Sequence, residues 1–156
     1  MADAQRGTEA QRGSEARHRA VRRSALLLAV WTLVVWGLRA RNIVVDDDMN
    51  AGAVIPAVCF LAGVAVLVGL LVRNRTELAR SWARAGAVVA VLGAGYWLVR
   101  TVEIAFDDHS VAFIIVHIIL GGGTVVLSLG LFRAIRVWWT NEGIAAGGYG
   151  LAGAVE

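Results

Sequence analysis

The sequence predicts an all-α membrane protein of four transmembrane helices, arranged as two tandem helical hairpins with both termini cytoplasmic. Three observations predict it. The chain of 156 residues is 58% hydrophobic, with a mean hydropathy of +0.65, well above that of soluble domains of this size. Four apolar runs, about 24–45, 51–72, 85–106 and 111–135, each reach the roughly 20 residues needed to cross ~30 Å of hydrocarbon as a helix. A stretch W-G-L-R-A-R-N-I-V-V-D-D from Trp36 returns as W-L-V-R-T-V-E-I-A-F-D-D from Trp97, 61 residues later.

Residues 1–23 form a polar arm containing A-Q-R-G-T-E followed by A-Q-R-G-S-E. Low-complexity sequence of this kind is expected to stay disordered. Its basic end and the first apolar run imitate a signal peptide, but the run is too long for an h-region and no small-residue cleavage site follows it. The bundle proper is expected over 24–139. The turn D-D-D-M-N after the first span and D-D-H-S after the third are short, so each joins antiparallel neighbours. Residues 140–156, rich in Gly and Ala, are expected to be a flexible tail.

Charge sets the orientation. All 15 basic residues are Arg. Arg6, Arg12, Arg17, Arg19, Arg22 and Arg23 precede the first span, Arg73, Arg75, Arg80 and Arg84 fall at the middle loop, and Arg133 and Arg136 close the fourth span. The positive-inside rule makes that side cytoplasmic. Both turns on the other side carry Asp, and Trp82, Trp138 and Trp139 mark the cytoplasmic boundary as an aromatic belt. The pI near 10 therefore reflects topology, and nucleic acid is not an expected partner.

Extended outward without a gap, the 61-residue offset pairs Arg19 with Arg80, Arg23 with Arg84, Ala29–Val30 with Ala90–Val91, Trp36 with Trp97, Arg39 with Arg100, Ile43 with Ile104, Asp46–Asp47 with Asp107–Asp108, Ala51 with Ala112, Val64 with Val125, Gly69–Leu70 with Gly130–Leu131 and Arg75 with Arg136. Both units enter with one orientation, so the repeat is a parallel one. The repeated residues fall near one helical line, which suits a packing face better than two sites. Gly86, Ala90 and Ala94 make a small-x-x-x-small ridge. Gly121, Gly122 and Gly123 lie mid-span, where they serve close backbone packing or leave a flexible gap.

The polar residues inside the spans are the candidates for function. Arg39, Arg41, Asn42, Arg100, Glu103 and His117 form an intramembrane set, with Arg39 and Arg100 each seven residues, or ~10 Å, from an acidic turn. Arg100 and Glu103 are three apart and suit an ion pair on one helix. Each repeated Arg also follows a Trp by three, suiting an indole contact. Where the first unit has Asn42, Asp48 and Pro56, the second has Glu103, His109 and His117. The diverged positions are the better candidates for proton or ion coupling. Asp46, Asp47, Asp48, Asp107, Asp108 and His109 form a weaker candidate metal set, and Asp48 and Asp108 are expected to cap the second and fourth helices. His117 is the one His in a span, so an intrachain bis-His haem is excluded, and no cofactor is expected. Phosphate-loop, dinucleotide, zinc-protease and nucleophile-elbow motifs are absent from the sequence. Cys59 has no partner for a disulfide.

The segments W-T-L-V-V-W-G-L-R-A-R-N-I and D-D-H-S-x-x-F-x-x-V-H resemble stretches of small multi-span membrane proteins of high-GC Gram-positive bacteria. The resemblance implies a plasma-membrane location and no particular activity. The leading expectation is a non-catalytic accessory or scaffold subunit, whose partners are the bilayer and other membrane subunits or itself. The alternative is a small proton- or ion-coupled transporter using the Arg/Glu/His set.

Overall fold

The computed structural model describes residues 2–45, 49–73 and 80–148, all but the turns helical: α1 (Ala2–Val45), α2 (Ala51–Arg73), α3 (Arg80–Phe106) and α4 (Val111–Gly148). All four are long and apolar enough to cross a membrane. Their outward faces are apolar, with Val30, Leu92, Ile119 and Val126 each more than half exposed, while the hydroxyls of Thr32, Thr124 and Ser128 are buried. That inversion suits hydrocarbon as the surrounding solvent.

The hairpins α1–α2 and α3–α4 form as the short turns require. α3 and α4 share the most extensive interface, α1 packs on both α2 and α4, and α2 touches α3 more sparsely. Two clusters fill the interior. At the arginine end Val21, Ala25, Leu67, Trp82, Leu131, Ile135 and Trp138 close on one another. At the acidic-turn end Val35, Trp36, Ile43, Ala53, Ala57 and Trp97 do the same.

The structure differs from the sequence reading at both ends. α1 is helical from Ala2, where a disordered arm was expected, and α4 continues to Gly148 through the segment expected to be a tail. The arm is rich in Ala, Gln, Arg and Glu, which are strong helix formers. Gln11 bonds Glu15 at 3.5 Å one turn on, and Arg19 donates to the Glu15 carbonyl at 3.4 Å. The end of the arm also packs. Val21 is fully buried, and the Trp138 indole N–H donates to His18 Nε2 over 3.2 Å, joining α1 to α4 beyond their apolar runs. With 44 and 38 residues, α1 and α4 are ~65 Å and ~57 Å long, against ~30 Å of hydrocarbon.

The helix caps also differ. Asn50 caps α2, its Oδ1 accepting from the Ala53 amide at 2.9 Å. Ser110 caps α4, its Oγ accepting from the Phe113 amide at 3.4 Å. Asp108 therefore does not cap α4; a cap must directly precede the first helical residue, and α4 starts at Val111. Asp48 lies outside the described residues.

Buried positions on the first helix of each hairpin recur 61 residues apart. α1 and α3 end 61 apart, at Val45 and Phe106. Val21, Ala25, Ala29, Thr32, Trp36 and Ile43 are buried, and so are Trp82, Gly86, Ala90, Gly93, Trp97 and Ile104. The second helices begin 60 residues apart but follow no single offset, since buried Leu67 meets buried Ser128 at 61. Ala51 and Val111 open them, and buried Val64 and Leu71 correspond to buried Thr124 and Leu131. At that spacing Gly63, Leu67, Leu71 and Arg73 align with Gly123, Leu127, Leu131 and Arg133. The second turn is one residue shorter, with four residues between its helices against five in the first.

Candidate functional site

An aromatic box occupies the acidic-turn half of the bundle. Trp36 of α1 stacks on Phe60 of α2, with ring centroids 4.7 Å apart and planes at 13°. Tyr96 of α3 meets both, 5.4 Å from Trp36 and edge-on to Phe60 at 5.2 Å. Trp97 completes the box at 6.5 Å from Trp36. Trp36 and Trp97 reach the interior because they continue the buried faces of α1 and α3. Tyr96 precedes Trp97 by one position, or 100°, and is turned toward α2.

Charge gathers around the Tyr96 phenol. Among the described residues, Arg100, Arg39 and Glu103 are the charged groups whose fields reach it. Tyr96, Arg100 and Glu103 are spaced i, i+4 and i+7, one stripe of α3. Arg100 Nη1 donates to Glu103 Oε2 at 2.9 Å, and the two side chains stay 48% and 53% exposed. The expected ion pair is therefore present, and it faces outward from the bundle. Beside Glu103 a shallow groove of about 350 Å³ is lined by Leu98, Val99 and Val102.

The rest of the intramembrane set disperses. Arg41 and Asn42 are exposed on α1. His117 is held by its own helix, with Nδ1 2.9 Å from the Phe113 carbonyl oxygen. A carbonyl oxygen only accepts, so that geometry places a proton on Nδ1. Its ring lies 4.0 Å from Phe113 and 6.4 Å from Trp97, whereas the charges that meet at Tyr96 come from α1 and α3. Of the metal set, Asp46, Asp47 and Asp48 lie outside the described residues. Asp107 Oδ2 is 3.7 Å from His109 Nε2, and among the described residues no three His, Cys, Asp or Glu side chains converge.

The glycine run serves packing. A Cβ on Gly121 would lie 2.9 Å from Thr101 Oγ1 and 3.0 Å from Trp97 Cε3, and one on Gly123 would lie 2.6 Å from Trp31 Cζ2. Two indoles thus rest on the α4 backbone, one from α3 and one from α1, while Gly122 faces open space. Gly86 of the small ridge likewise admits Ile135 and Leu131. Sequence reasoning missed Tyr96, Phe60, Trp31 and Thr124. The signal for Tyr96 was its place one turn before Arg100; for Thr124 it was a hydroxyl one residue after the glycine run.

No family model, curated protein or solved structure matches the chain.

Proposed function

We propose that the chain is a non-catalytic integral membrane protein, an accessory or scaffold subunit of the plasma membrane that acts through helix–helix contacts with other membrane subunits or with itself. One observation carries this reading: the bundle axis is filled by Trp36, Trp97, Trp82 and Trp138, while the outer faces of all four helices remain apolar and available. An interior packed with indoles favours a working surface over a working cavity. Affinity purification of the full chain in mild detergent tests it. A stoichiometric membrane partner, or a defined homo-oligomer, is the expected result; a lone monomer at every detergent concentration would overturn it.

In the same reading the arginine end faces the cytoplasm, and both termini with it. The positions of Arg23, Arg84, Arg133 and Arg136 at one end of the bundle and of Asp107 and Asp108 at the other support this. The hairpins descend from one duplicated unit, supported by the shared buried positions of α1 and α3, with one residue lost from the second turn. The carrier alternative draws on the exposed Arg100–Glu103 pair. It predicts that Glu103→Gln abolishes a transport phenotype at unchanged protein level.

A further inference from the structure

We propose that the contact between His18 and Trp138 is a proton-operated latch. It holds the projecting ends of α1 and α4 together while His18 is neutral and lets them part when the ring takes up a second proton. The inference is independent of the scaffold role and holds whichever side of the membrane the arginine end faces.

Three observations meet here. The first is the direction of the bond. An indole N–H only donates, so at 3.2 Å His18 presents Nε2 without a proton. A neutral imidazole with its one N–H on Nδ1 satisfies this. An imidazolium carries N–H on both nitrogens and has no acceptor left. Histidine is the side chain that makes this change near neutral pH. The second observation is burial. Trp138 is 1% exposed, and its ring stands edge-on to His18, with centroids 6.2 Å apart and planes at 84°. Once His18 is charged, the indole N–H is buried, unpartnered and faced by another N–H, and separation of the two rings relieves it. His18 itself is half-buried, so protons reach it. The third observation is what the latch holds. Both helices outrun the hydrocarbon at this end, and α1 is exposed from Gly7 to Arg12. The anchors that seat this stretch beside α4 are His18 and, one turn on, Val21.

Val21 and Trp138 share their cluster with Trp82 of α3, so three helices bring charge to this level. By position these are Glu15, Arg17, Arg19 and Arg22 on α1, Arg80 and Arg84 on α3, and Arg136 and Glu142 on α4; Arg75 and Glu77 lie outside the described residues. The carboxylates favour an imidazolium and the guanidiniums oppose it. Both kinds move the pH at which the latch opens, and neither gives the charged ring an acceptor.

The test is double electron–electron resonance on the full chain in phosphatidylcholine nanodiscs, at about pH 8 and about pH 5.5. Spin labels sit on Ala10→Cys and Thr140→Cys in a Cys59→Ser background. The expected result is a narrow distance distribution at the higher pH and one at least twice as wide at the lower. His18→Gln, whose amide oxygen accepts at every pH, stays narrow at both. His18→Phe, with no acceptor, is broad at both. Ring-nitrogen NMR of the unaltered chain should show Nε2 of His18 unprotonated at the higher pH, with the Trp138 indole N–H resonance moving as His18 titrates, which a merely structural contact would not do. An equal width at the two pH values overturns the proposal, as does a pH response that survives in His18→Gln. Should either variant fail to fold by circular dichroism, the pH comparison and the ring-nitrogen signals decide the matter, and a protonated Nε2 at the higher pH overturns it. None of these readouts depends on whether a protein partner co-purifies.

Discussion

The indole N–H of Trp31 donates to the hydroxyl of Thr124 over 3.0 Å, linking α1 to α4 across 93 residues of sequence. Thr124 in turn donates to the Leu120 carbonyl of its own helix at 2.9 Å. Trp31→Phe therefore removes one interhelical bond and leaves the hydroxyl satisfied. The expected loss is about 0.5–1.5 kcal/mol, the net worth of an ordinary hydrogen bond. Chemical denaturation in mixed micelles measures it. Combined with Thr124→Val, the two losses should be less than additive; full additivity would show that the bond contributes nothing.

The three consecutive glycines separate by their surroundings. Gly123→Ala drives a methyl against the Trp31 ring and Gly121→Ala drives one against Trp97 and Thr101, each expected to cost about 1–3 kcal/mol by overpacking. Gly122→Ala meets nothing within 4 Å and should raise stability by up to about 1 kcal/mol through helix propensity. Thermal melts of the three variants followed by circular dichroism give the ranking. If Gly122→Ala proves the most damaging, the indole-on-backbone packing is not what the run serves.

The bond from Trp138 to His18 is the polar clasp on the N-terminal part of α1. Trp138→Ala also removes a fully buried ring, so residues 2–20 should come away from α4. Tryptic cleavage after Arg12, Arg17 and Arg19 is expected to accelerate severalfold, while Trp31→Phe leaves it unchanged. Equal cleavage rates in the variant and the native chain would mean that α1 and α4 do not associate beyond their apolar runs.

Topology is testable with single cysteines in a Cys59→Ser background. A membrane-impermeant maleimide added to intact cells should label Asp108→Cys and spare Arg136→Cys until the membrane is opened. The opposite pattern would invert the proposed orientation.

The spans and their pairing were legible because hydrocarbon leaves the backbone few options: a run such as that from Ala51 to Val72, entered through a short turn, dictates its own helix and its neighbour. The Arg100–Glu103 pair was legible for the same local reason, spacing on a single helix. What escaped depends on contacts between helices distant in sequence. Residues 2–23 read as disordered because their own apolar content is low; that reading could not foresee that Val21 and His18 would meet α4. Tyr96 drew no notice as a lone aromatic in an apolar run, and its place in the aromatic box comes from Trp36 and Phe60 of other helices. The glycine run left packing and flexibility open, and only the indoles from α1 and α3 decide between them. His117 was grouped with Glu103 by depth alone, and depth says nothing about azimuth.

The two hairpins close in different ways, and the difference has a mechanical consequence. One hairpin is spaced by a ring stack, Trp36 on Phe60; the other closes onto bare backbone at Gly121. The first has side-chain torsions along which it can yield, and the second has almost none. Under lateral strain in the bilayer, α3–α4 should behave as the stiff splint and α1–α2 as the compliant arm, so that a partner pressing on the chain would bend it on one side only.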